Sequence, residues 1–188
     1  MSNREFNLPV PFTFQMAITT SGTPEQLKVK RRATTIAFNE NTADADTITD
    51  SASGFVAAGL QPNDTITVSG SASNDGTYTI ATVTAGTITL IKPNDLTTEA
   101  AGATVTIVAS KTIPDGVGVS VKAKNANTGV IHIGYSSATA LNTAGASFTL
   151  DNNESIGLQV NNTDQIWLDA TVSGEGVEVI FEKNLQTA

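Results

Sequence analysis

The chain contains a single histidine, His132, set in the alternating run Val130-Ile131-His132-Ile133. Nucleophilic catalysis through it would need a hydroxyl nucleophile and an orienting acid gathered around the ring, and the sequence has no nucleophile elbow. Asp169, Glu175 and Glu178 could supply a carboxylate pair for glycoside hydrolysis, but such a pair needs a cleft and one raised pKa. Turns and solvated strand faces account for these acids better. Asp44-Ala45-Asp46 and Asp50 bring together hard oxygen ligands suited to Ca²⁺. Their spacing is not that of an EF-hand loop, and its turn glycine is missing. Gly116-Val117-Gly118 lacks the third glycine and the following helix of a dinucleotide site. The absence of cysteine excludes disulfides, thiolate metal sites and a cysteine nucleophile. The expected chemistry is binding, with no catalytic residue, metal or cofactor.

Two segments are the expected places for contact. Lys28-Val29-Lys30-Arg31-Arg32 concentrates four cations in five residues. In a strand, Lys28 and Lys30 share one face while Val29 turns to the core. Such a strip commonly guards a sheet edge against unwanted pairing, and it could also dock on an acidic neighbour; nucleic acid is the weaker alternative. The second segment is an apolar arm with Phe6, Leu8, Val10, Phe12 and Phe14, able to add onto a neighbour as a strand. Trp167 and Tyr135 could stack on a sugar ring. Alternation leaves open whether Trp167 or its neighbours Ile166 and Leu168 face the core.

The elements that would carry these residues are strands. Period-2 alternation runs through 64–68, 77–80, 87–90, 104–107, 117–121, 130–133, 147–150, 156–160, 166–168 and 177–181, as half-buried strands require. Asn74-Asp75-Gly76, Pro114-Asp115-Gly116, Asn127-Thr128-Gly129 and Ser173-Gly174-Glu175-Gly176 supply turns between runs. Only Gly54–Leu60 suggests a helical turn. Charged residues make up 15% of the chain, below the roughly 25% of an average domain; Thr, Ser, Asn and Gly replace them, favouring short strands and tight turns. The net charge of −8 repels phosphate and argues against general nucleic-acid binding. No apolar run reaches the length of a membrane helix, and Met1–Phe6 lacks the apolar core of a secretory signal, so synthesis in a cytoplasm is expected.

Charge also divides the chain. Residues 34–110 hold one base against eight acids, a balance of −7, together with 17 threonines. The expected organisation is all-β: an extended arm at 1–11, an antiparallel, jelly-roll-like β-sandwich host built from 12–33 and 111–184, an acidic β-barrel or β-sandwich module inserted at 34–110, and a tail at 185–188. Loop tips tolerate such insertions when the guest's ends lie close together.

The segments Ile48–Phe55, Asp64–Gly70, Asn74–Ile80 and Leu96–Val105 together resemble a small β module that recurs in tailed-bacteriophage virion proteins. Gly22–Leu27, Ile113–Val117, Asn127–Gly129 and Val177–Glu182 are similar to phage head-protein sequence. The resemblance implies a non-enzymatic virion structural protein of the capsid-decoration (cement) or accessory-head type. It would bind the major capsid protein on the capsid surface and associate with itself as a dimer or trimer, without direct contact to nucleic acid or membrane. A tail or head fibre, or an adaptor subunit binding a host receptor or glycan, is the alternative. The resemblance transfers no catalytic residues.

Overall fold

The structure is a computed structural model that describes residues 12–92, 96–113, 116–143, 145 and 147–183. In chain order its strands are β1 (Phe12–Ala17), β2 (Glu25–Gln26), β3 (Val29–Ala33), β4 (Ile36–Asn39), β5 (Thr47–Asp50), β6 (Thr65–Ser69), β7 (Gly76–Val83), β8 (Thr87–Leu90), β9 (Val105–Ala109), β10 (Val117–Ala123), β11 (Ile131–Gly134), β12 (Phe148–Leu150), β13 (Ser155–Leu158), β14 (Trp167–Ala170) and β15 (Gly176–Lys183). Two four-residue helices, α1 (Phe55–Ala58) and α2 (Ser137–Ala140), and a 3₁₀ turn at Thr163–Gln165 complete the described elements. The protein is all-β, and every strand pairing is antiparallel.

The chain forms two compact units, one made of the residues up to Leu27 with those from Lys111 onward, the other of Lys28–Ser110. The expected boundary at 33/34 moves to 27/28 because the run Gln26–Lys30 is not one strand. Gln26 pairs with Trp167 in the first unit, whereas Val29 pairs with Ala109 in the second. The shift carries four cations across. The second unit now holds five bases against eight acids and the first five against ten. The sharp asymmetry expected from 34–110 becomes −3 against −5.

In the first unit the strands form two sheets, ordered β1-β15-β10-β13 and β12-β11-β14-β2. Numbered one to eight within this unit, the orders read 1-8-3-6 and 5-4-7-2. The first of these sheets buries one face, whereas β11 and β14 in the second are buried on both. Phe12, Phe14 and Met16 alternate with exposed residues along β1, and Val117, Val119, Val121 and Ala123 do so along β10 with half-buried neighbours. Phe12 is paired with Phe181 on β15, their rings 5.4 Å apart, and Phe14 meets the same ring edge-on at 6.2 Å. Lys111 is buried with Nζ 4.9 Å from the centre of the Phe12 ring, a cation–π contact. Leu168 and Ile166 are fully buried while Trp167 is half-buried, so Trp167 lies on the face of β14 away from the core.

The second unit is one seven-stranded sheet in the order β3-β9-β6-β7-β8-β5-β4. Its edge strands β3 and β4 are consecutive in the chain, with only Thr34 and Thr35 between them. Two residues span a short distance, so the sheet must curl until its edges approach each other. The unit's entry and exit strands are neighbours, Val29 lying opposite Ala109. In the first unit both chain ends at the break tie to one segment. The Leu27 amide donates to Ile166 O (2.8 Å), and Lys111 exchanges hydrogen bonds with Thr163 through its amide to Oγ1 (2.9 Å) and its carbonyl from the Thr163 amide (2.9 Å).

Truncating Phe181 to Ala removes the ring that Phe12 and Phe14 pack on, and should cost about 3–5 kcal/mol, read from the midpoint of urea unfolding. An unchanged midpoint would contradict this packing.

Candidate functional site

The expected contact residues separate in the structure. Phe6, Leu8 and Val10 lie outside the described residues. Phe12 and Phe14 are 7% and 4% exposed on the core face of β1, so they are packing residues and not part of a free arm. Lys28, just before β3, and Lys30 and Arg32 on it follow the outward-facing parity, while Val29 is buried. They form a row with steps of about 7 Å. Phe12 and Phe14 belong to the first unit and this cationic row to the second.

Arg31 has the opposite parity and a different role. Its Nε donates to Asp50 Oδ2 (2.8 Å) and its terminal nitrogen lies 2.7 Å from the same oxygen. Asp50 also accepts from Thr35 Oγ1 (2.6 Å), Ala52 N (3.0 Å) and Gly54 N (3.0 Å). A side chain at Gly54 would overlap the Arg31 guanidinium, so the glycine makes room for this clasp. Burial opposes ionisation of Asp50, but the hydrogen bonds from Thr35, Ala52, Gly54 and Arg31 outweigh it and hold its pKa below the ordinary 3.8.

Of the other two acids expected to bind a cation, Asp44 is exposed and Asp46 is occupied in a similar way, as are further acids of this unit. Asp46 is buried and accepts from the amides of Asn41 (2.7 Å) and Leu96 (2.9 Å). Asp64 accepts from Gln61 N (2.8 Å), Asp75 from Ser71 N (2.8 Å), and Glu99 from Ala72 N (2.9 Å) and the Asn74 side chain (3.0 Å). These carboxylates fix loops by satisfying backbone donors. Among the described residues no group of three or more potential ligands is gathered as a metal site.

His132 is 9% exposed, with Nδ1 2.7 Å from Ser147 Oγ and Nε2 unpartnered. Asp169 lies opposite it on β14. The acid's oxygens accept from the amides of Gly22 (3.0 Å), Ala170 (2.8 Å) and Asn142 (2.9 Å). A triad needs its acid on the ring nitrogen remote from the nucleophile; here that acid is committed to backbone amides. Glu175 is likewise spent, accepting from Thr128 N and Oγ1 and Gly129 N to clamp the Asn127-Thr128-Gly129 turn. Its Oε2 is buried without a partner.

Phe148 carries no distinguishing signal in the sequence. It is 55% exposed and Tyr135 76%, the two exposed aromatics among the described residues, while Trp167 is half-buried. Phe148 lies on the edge strand β12, opposite Ile133 on β11. The alternation Ser147-Phe148-Thr149-Leu150 marks a strand but cannot tell an edge from an interior position.

The Asp50 clasp has a measurable pH signature. Its folded pKa lies below the unfolded value, so its stabilisation is complete above the ordinary aspartate range and is lost as pH falls through the depressed folded pKa. Asp50→Asn leaves Arg31 facing a neutral partner and should cost about 3–5 kcal/mol near neutral pH. Urea unfolding of both proteins from pH 7 down to pH 2 should show the difference shrinking at the acid end. A difference independent of pH would contradict the assignment.

Comparison with known proteins gives no match: no family model, curated protein or solved structure matches the chain.

Proposed function

We propose that this chain is a non-enzymatic structural protein of a bacteriophage particle, binding the surface of the capsid and stabilising the head. The observation that carries the reading is the strand order of the first unit. The orders 1-8-3-6 and 5-4-7-2 are those of two interlocked Greek keys, and eight strands so arranged support a jelly-roll sandwich, an architecture used by viral capsid and lectin domains. A guest module entering between the second and third strands supports an organisation in which the host keeps its fold and the guest is an added β module. The resemblance of the module and flanks to phage virion sequences points the same way.

The mechanism is mass action. A subunit that binds only the assembled lattice adds its binding free energy to that lattice, and self-association as a dimer or trimer multiplies the contacts. The row Lys28, Lys30, Arg32 offers cations to an acidic neighbour such as the major capsid protein. The carboxylate commitments of Asp169 and Glu175 favour binding over catalysis. The function needs no nucleic acid, membrane or cofactor, and locates the protein on the virion after synthesis in the host cytoplasm. The exposed Tyr135 favours one second reading, a fibre or adaptor subunit that stacks on a receptor glycan.

The test compares phage shells assembled with and without the chain. Shells carrying it should withstand higher temperature before releasing DNA, and added protein should cosediment with shells that lack it. The triple variant Lys28→Glu, Lys30→Glu, Arg32→Glu should weaken cosedimentation at least about tenfold, a loss of about 1.4 kcal/mol. Absence of binding to shells, together with retention on a glycan array, would replace this reading with the fibre one.

A further inference from the structure

We draw no further inference here: the strongest candidate, the outward-facing patch of the second unit's sheet where Thr47 and Thr49 of β5 stand opposite Thr89 and Thr87 of β8, carries none, because nothing in the structure shows what covers it.

Discussion

The Asp50 carboxylate joins parts of the second unit that its hydrogen-bond ladder leaves apart. β3 and β4 are opposite edges of a seven-stranded sheet, yet only two residues separate them in the chain. Asp50, on β5 beside one edge, reaches Arg31 on the other edge and Thr35 in the link. It also fixes the amides of Ala52 and Gly54 ahead of α1. Closure of the curled sheet, the entry to α1 and the need for glycine at position 54 therefore depend on one buried anion. An apolar residue could fill its space but could not accept from these donors, and their hydrogen bonds would be lost.

That dependence changes the meaning of the acidic composition. A block rich in Asp and Glu suggests a solvated, repulsive surface or a cation site. Here Asp46, Asp50, Asp64, Asp75 and Glu99 each accept from a backbone amide. Their charge serves loop geometry in a unit with few aromatic side chains and many short connections. Glu175 and Asp169 do the same in the first unit, where they hold the turn at Thr128–Gly129 and the backbone at Gly22 and Asn142.

Strands were legible because their signal is local. Thr87-Ile88-Thr89-Leu90 is β8 to the residue, and the alternation at 177–181 falls within β15. The short helix at 55–58 lies within the turn expected at 54–60. Ile36–Asn39 and Thr47–Asp50 give a weaker signal, since Ala37 stands between Ile36 and Phe38 and Ile48 is the one apolar residue of Thr47–Asp50. What could not be read was long-range. Gln26 and Val29 look like parts of one strand, and only their partners, Trp167 and Ala109, assign them to different units. The same limit hid the difference between Arg31 and its cationic neighbours, since the partner that claims it is 19 residues away. Phe12 and Phe14 read equally well as arm or core until Phe181 is placed beside them.

The topology of the first unit imposes an order on synthesis. β1 pairs only with β15, and β2 only with β14. When residues 12–27 leave the ribosome, their partners at 167–183 have not been translated. The second unit waits a shorter time, because all seven of its strands lie between Lys28 and Ser110 and β3 waits only for β9. At a translation rate of roughly 5–20 residues per second, the first two strands remain without their partners for about 7–30 seconds. In that interval the apolar residues Phe12, Phe14, Met16 and Ile18 are open to chaperones or to other nascent chains. All the strands of the second unit are thus available for pairing while the first unit still lacks β10–β15.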